Sequence, residues 1–338
     1  MKAAPEKAMK QSTRATFAPG TRRRGDLIAA IGFLAPNLLG FLVFTVIPVL
    51  FSLVVSFSNW RLQRTVPFHW VGFANFHELF GSEEFWLYAA NTIYLMIGIP
   101  VGIAGSLVLA LLLNQKLRGM IVYRTLFYLP SFTSGVALFI LWKALYNPEY
   151  GPLNWMINTA MHSLHIPGHA PQWLSSTHNL AGMPVEHPGF DVKQVGLGAR
   201  DAILLMGIWA GIGGGNMLLY LAGLSNIPPE LYEASQLDGA GKWATFRHIT
   251  WPQLAPTTFF IVIMSVIGGL QGGFEQARVM TGNGGPAGTT TTLSYYIYTR
   301  AFEQFQIGYA SAIAWVLFVV ILVGTLINWK FGSQHAEG

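Results

Sequence analysis

One polar stretch interrupts long apolar runs: residues 230–252, Glu-Leu-Tyr-Glu-Ala-Ser-Gln-Leu-Asp-Gly-Ala-Gly-Lys-Trp-Ala-Thr-Phe-Arg-His-Ile-Thr-Trp-Pro. Its residue types suit docking better than bond-making. Pro228 and Pro229 fit the first turn of a helix, where no amide donor is needed. Glu230 and Glu233 then fall in the early turns and favour the positive helix end. Gly239 would break that helix, because glycine enters left-handed backbone without steric cost. A second short helix would carry Trp243 and Phe246 on one face before Trp251-Pro252. The expected object is a helix–turn–helix knob with small Ala234 and Ser235 at its contact with a partner. The residues alone leave a second reading open, an ordinary amphipathic helix on a membrane surface.

Other chemistry is sparse. A phosphate loop needs G-x-x-x-x-G-K-[ST], so that backbone amides and a lysine cradle the phosphates. Gly241-Lys242 comes nearest, but Gln236 stands at the first glycine and Trp243 at the hydroxyl position. The expectation is no catalytic residue and no resident cofactor. His162, His165, His169, His178 and His187 fall in one segment. Zinc needs three or four converging ligands; no cysteine helps and prolines interrupt the run, so solvated loop histidines and no metal are expected. Polar residues inside apolar segments are costly without partners. Asn216, Gln271 and Glu275 lie in or beside such segments, and Asn216 and Gln271 suit sugar hydroxyls. Trp209 and Tyr309 suit stacking on a pyranose face. Helix–helix contacts explain these residues equally well.

The elements that position these groups follow from composition. The chain has 338 residues, 52% hydrophobic and 10% charged, with mean hydropathy +0.43. Soluble domains carry about 25% charged residues, so the solvent is lipid. A spanning helix needs roughly 20 apolar residues. About six are expected, near Leu27–Phe57, Tyr88–Leu113, Leu126–Tyr146, Ala202–Leu224, Pro256–Gly273 and Gly308–Trp329. The first is too long for a cleaved signal peptide, and a bend is expected near Pro36 or Pro48. Gly98 and Gly102, and Gly207, Gly211 and Gly215, recur every four residues and allow close helix approach. The fold class is all-α integral membrane. Residues 1–25 form a cytoplasmic tail, 26–332 the membrane domain and 333–338 a second cytoplasmic tail.

With the N-terminus inside, the inner segments hold Lys2, Lys7, Lys10, Arg14, Arg22, Arg23, Arg24, Lys116, Arg118, Arg124, Lys242, Arg247 and Lys330. The outer segments hold Arg61, Arg64, Lys193, Arg200, Arg278 and Arg300, with Lys143 near an outer helix end. That asymmetry places both termini and the 230–252 stretch in the cytoplasm. The net charge of +5 lies mainly beside helix ends and is not a nucleic-acid signal.

Glu233, Ala234, Asp238, Gly239, Ala240, Phe246, Ile249 and Pro252 resemble, in order and spacing, the loop by which permease subunits of binding-protein-dependent ABC importers grip their ATPase. The resemblance runs from about Leu34 to Trp329. It includes Arg124-Thr-Leu-Phe-Tyr-Leu-Pro130, Trp142-Lys-Ala-Leu-Tyr-Asn-Pro148, Leu221-Ala-Gly-Leu-Ser-Asn-Ile-Pro228 and Thr281-Gly-Asn-Gly-Gly-Pro286. It is similar to the carbohydrate-importer branch, and to the first permease of a pair. Ser235 departs from the family's frequent alanine, and residues 165–200 look like an insertion. The resemblance implies a coupling helix between the fourth and fifth spans of an inner or plasma membrane protein. It implies a second homologous permease, two ATP-binding subunits holding ATP and Mg, and an extracytoplasmic solute-binding protein. The loop Gly282–Thr292 would meet that receptor or serve as a flexible connector. An ion-coupled secondary transporter is the alternative; it calls for paired membrane carboxylates or repeated halves, and only Glu275 answers to that.

Overall fold

The computed structural model describes residues 21–63, 67–115, 118–185 and 195–332. The remaining parts of both expected tails, with Arg64, Lys116, His187 and Lys193, lie outside the described residues. Residues 21–25, expected in the N-terminal tail, are helical.

The chain divides between Val54 and Val55 into two compact units. The first contains α1, Thr21–Phe41, and a π-helical turn, Leu42–Val46, that leads into α2, Ile47–Ser56. Ile47 N–H donates to Leu42 O, a five-residue step taken one residue before Pro48. Proline has no N–H for the carbonyl four residues back, and the widened turn absorbs the change of register.

The second unit is also helical, and among the described residues its only extended pairings are two isolated bridges, Ser58 to Trp70 and Asn179 to Val195. It runs through α3 (Ala74–Gly81), α4 (Glu83–Met96), α5 (Gly98–Leu113), α6 (Met120–Tyr128), α7 (Gly135–Leu145) and α8 (Pro152–Ser163). It continues through α9 (Ala199–Ile212), α10 (Gly214–Ser225), α11 (Pro229–Leu237), α12 (Lys242–Thr245) and α13 (Trp251–Gln253). It closes with α14 (Ala255–Gln271), α15 (Leu293–Tyr298) and α16 (Ile307–Gly332). Ser82 caps α4 by accepting from Phe85 N–H at 3.4 Å, with Glu83 and Glu84 in the first turn, a favourable charge at that end.

Four stretches are long and apolar enough to cross a membrane: Ala29–Ser56, Glu83–Leu113, Ala199–Ser225 and Ile307–Lys330. Two bent pairs, Met120–Phe132 with Gly135–Leu145 at 98° and Lys242–Gln253 with Ala255–Gln271 at 63°, raise the number to six if each is one span. The third expected helix is therefore not continuous. Pro130 lies in a 3-10 turn, Leu129–Phe132, and Thr133 (φ −74°, ψ 133°) leaves the helical region. The proline withholds one helical donor, the turn tightens, and the chain restarts as α7 after Ser134.

Glycine sets the closest helix approach. A Cβ on Gly102 of α5 would stand 3.4 Å from the Gly211 Cα of α9, the small-residue packing expected of helices in lipid. One buried cluster joins Leu107, Ala110 and Leu113 of α5 to Met217, Tyr220 and Leu224 of α10, and to Leu254 and Ile261.

Candidate functional site

The knob begins as its prolines dictate: Pro228 caps α11 and Pro229 is its first residue. It ends at Gly239, whose φ is +72°. Ala240 N–H turns back to Ser235 O at 2.9 Å and Gly239 N–H to Gln236 O at 3.1 Å. This glycine-terminated pair of hydrogen bonds satisfies carbonyls that a helix end leaves orphaned. A Cβ on Gly239 would meet nothing within 4 Å. Its requirement is therefore one of backbone conformation, not of space between the two short helices.

Ser235 faces inward, which corrects the expectation that it meets a partner. It is 7% exposed, its hydroxyl donates to Tyr232 O at 2.9 Å, and its Oγ lies 3.4 Å from Thr245 Oγ1 on α12. A small side chain is needed there because α11 and α12 meet over it. Glu233, Ala234, Asp238, Gly239, Ala240 and Pro252 are exposed, while Phe246 and Ile249 are half-buried. Leu237 is 90% exposed and Trp243 74%, and the Trp243 ring stacks on Phe246 with centroids 5.5 Å apart. A second π-helical turn, Phe246–Thr250, ends with Trp251 N–H donating to Phe246 O, one residue before Pro252. It repeats the accommodation made before Pro48.

The inner side of the knob is rooted in the α5–α10 cluster. Tyr232, Phe246 and Ile249 pack against it. Tyr232 OH lies 3.2 Å from Thr250 Oγ1, and Tyr220 OH donates to Thr258 Oγ1 at 3.2 Å. Arg124 of α6 donates from Nε and Nη2 to Leu113 O at 3.1 and 2.7 Å. That closes the C-terminal end of α5, where a cation is favoured. Because close-packed interiors transmit strain, displacing the knob displaces the helix ends that hold it.

Two helix breaks interlock at the other end of this cluster. The α9–α10 junction passes through Gly213 and Gly214, the latter at φ +65°. A Cβ on Gly214 would strike Ser131 Oγ, and one on Gly213 would stand 2.6 Å from Phe127 O. The broken α6–α7 pair thus nests in the broken α9–α10 pair. Next to them a cavity of about 130 Å3 opens between α5, α9 and α14, lined by Gly98, Gly102, Gly207, Gly211, Asn216 and Ser265 among others.

The five solute-path candidates are not brought together. Asn216 lines the cavity. Trp209 is 44% exposed, its ring 5.3 Å from that of Trp142. Gln271 ends α14, and Glu275 lies beyond it, where a Cβ on Gly135 would be 2.9 Å from its Oε2. Tyr309 is 6% exposed, with the Arg300 guanidinium 5.3 Å from its ring centroid and its OH 3.4 Å from Tyr296 OH. Its face is covered, so it offers no stacking surface here.

Sequence reasoning missed a buried arginine that makes four side-chain hydrogen bonds. Arg200 stands among the outer loop charges by sequence, but in the structure it is 1% exposed. It donates to Asn91 Oδ1 at 2.8 Å, Thr289 O at 2.9 Å, Met183 O at 3.3 Å and Pro184 O at 2.7 Å. Asn91 Nδ2 donates in turn to Gly288 O at 3.0 Å and Thr291 O at 2.9 Å. Asp201 accepts from Tyr94 OH and from Gly198 N–H. Thr289, Thr290, Thr291 and Thr292 are all buried. This part of the Gly282–Thr292 loop is packed, not a flexible connector. Among the described residues, no three His, Asp or Glu side chains converge as a metal site requires.

Known proteins add to this geometry. The family described as "Binding-protein-dependent transport system inner membrane component" matches residues 98–330. The chain is 35% identical to the probable ABC transporter permease protein YesP of Bacillus subtilis over 313 residues, 92% of each chain. It is 33% identical to the arabinooligosaccharides transport system permease protein AraP of the same organism, over 90% of this chain and 89% of that one. Among solved structures, a bacterial ABC transporter involved in the import of the acidic polysaccharide alginate has a chain that superposes with a TM-score of 0.72. Its identity is 26%, covering 93% of this chain and 97% of that one.

Proposed function

Since this chain belongs to the family of binding-protein-dependent transport system inner membrane components, we propose that it is the permease subunit of an ATP-driven importer for a saccharide. The saccharide class rests on what relatives such as AraP and the alginate importer carry. In this reading an extracytoplasmic binding protein delivers the solute, and a second homologous permease completes the pathway. Two ATP-binding subunits hold ATP and Mg and dock on the knob from the cytoplasm, where both termini lie.

The observation that carries the reading is the knob itself. Its outer side presents exposed Leu237 and Trp243 beside Glu233 and Asp238. Its inner side grips α5, α10 and α14 through Tyr232, Phe246 and Ile249. Closure of the ATPase pair would move this lever, and the interlocked breaks at Ser131 and Gly214 would change the access of the cavity. Asn216 and Ser265 have no side-chain hydrogen-bond partner among the described residues. Both are half-buried on the cavity wall, and sugar hydroxyls suit both. The purified chain should hydrolyse no ATP. Reconstituted with its partners and receptor, it should show saccharide uptake that stops without ATP; turnover by the chain alone, free of contaminating ATPase, would refute the assignment.

A further inference from the structure

The span Glu83–Leu113 carries one exposed apolar stripe, formed by Trp86, Ile93, Ile97, Val101, Val108 and Leu112. Intervals of four and seven residues keep these side chains on one helix face. Helix–helix contacts in lipid favour small residues, as where Gly102 meets Gly211. The stripe is mainly bulky and suits acyl chains instead. From Ile93 to Leu112 it rises about 28 Å, enough to fill a hydrocarbon core of about 30 Å. Trp86 lies about 10 Å farther along the axis, at headgroup depth. That end of the span is opposite Leu113, which sits in the cluster that roots the knob.

Helix α3 is fastened to the Trp86 end. Trp86 Nε1 donates to Phe80 O at 2.9 Å. The Phe80 ring centroid lies 5.8 Å from that of Phe85 and 6.4 Å from that of Trp86. Leu79 is buried in one cluster with Phe85 and Tyr88. Asn75 Nδ2 donates to Ser56 O at 2.7 Å and Ser58 O at 2.8 Å. These contacts fix which side of α3 turns inward. His77 N–H donates to Phe73 O at 3.0 Å, so the helical course already holds at Phe73. Phe73 and Phe80, two turns apart, therefore project to one side, and both are exposed. Exposed Glu78 points about 160° away from Phe80, with His77 between them. The helix contains no Lys or Arg.

We propose that α3 is an interfacial helix, with Phe73, Phe80 and Trp86 seated in the lipid headgroup layer at the membrane face opposite the knob. An apolar face beside the core contact and a polar face away from it suit a helix lying in that plane. Aromatic rings favour headgroup depth, and the exposed rings continue the acyl-facing stripe of α4 and α5. Lipid, and not a protein partner, covers this side of α3. The rings then set the depth at which the Glu83–Leu113 span sits. The proposal is independent of which solute the protein carries.

The test uses the assembled importer in lipid nanodiscs. The sequence has no cysteine, so Phe73→Cys, Phe80→Cys and Glu78→Cys each accept a single nitroxide label. Power-saturation electron paramagnetic resonance then compares collisions with oxygen, which dissolves in lipid, and with a nickel chelate, which stays in water. The expected oxygen-to-nickel ratio at positions 73 and 80 is roughly fivefold or more above that at 78, as for side chains on the apolar and polar faces of an interfacial helix. Equal ratios at 80 and 78 would mean that α3 stands in water and would overturn the proposal. Labels at 73 and 80 that neither reagent reaches would show a protein partner on this face, and that result also overturns it.

Discussion

Arg200 Nε donates to Asn91 Oδ1 at 2.8 Å across 109 residues of sequence. The bond ties the first turn of α9 to α4, and through them the 183–184 and 288–291 backbone. Arg200→Met should leave several buried carbonyls without a donor, at roughly 1–3 kcal/mol for each. The solubilised protein should lose thermal stability and its 178–185 segment should become protease-sensitive. Arg200→Lys should be intermediate, because an ammonium cannot reproduce the fork. An unchanged melting profile in Arg200→Met would show that the network is dispensable.

Gly239 separates conformation from space. Its φ of +72° penalises a side chain by about 1–2 kcal/mol, yet a Cβ there meets nothing. Gly239→Asn, a residue that tolerates left-handed backbone, should retain uptake. Gly239→Val should lose most of it at normal membrane insertion. Equal uptake by both variants would remove the turn from the account.

Gly214 and Ser131 should be coupled. Gly214→Ala adds backbone strain at φ +65° and a contact with Ser131 Oγ. Ser131→Gly removes the contact and leaves the strain, so it should restore uptake in part. A double-mutant cycle with no coupling would mean that the two helix breaks move independently.

Gly211→Leu should force α9 from α5, since even a Cβ there would stand 3.4 Å from Gly102 Cα. Overpacking of this kind typically costs about 1–3 kcal/mol. Reduced thermal stability together with lost uptake is expected; full stability would show that the helices part without cost.

Much of this was legible in the sequence because particular residues have few backbone options. Pro228, Pro229 and Gly239 bound α11 as expected, and Gly102 and Gly211 meet where their spacing predicts close approach. The α6–α7 break was signalled only by Pro130-Ser-Phe-Thr-Ser-Gly135, a short polar dip inside an apolar run, and the size of the 98° turn, packed against Gly213 and Gly214, has no such signal. Arg200 misled because a basic residue beside a polar segment reads as solvated, whereas its partners are mostly backbone carbonyls that carry no sequence signal. Ser235 and Tyr309 misled likewise, since residue type alone does not say which face is covered.

The central claim is that the knob is where the ATPase docks, and the absence of cysteine from the sequence makes it directly testable. A single cysteine replaces Leu237, 90% exposed at the end of α11, or Phe302, 59% exposed past the far end of α14. Each variant is co-expressed with its partner subunits and treated with a short bifunctional maleimide. The account predicts a cross-linked product with the ATP-binding subunit from position 237 and none from position 302, with yield that changes on adding ATP. Cross-linking to that subunit from 302, or none from 237 in an assembled complex that still transports, would contradict it.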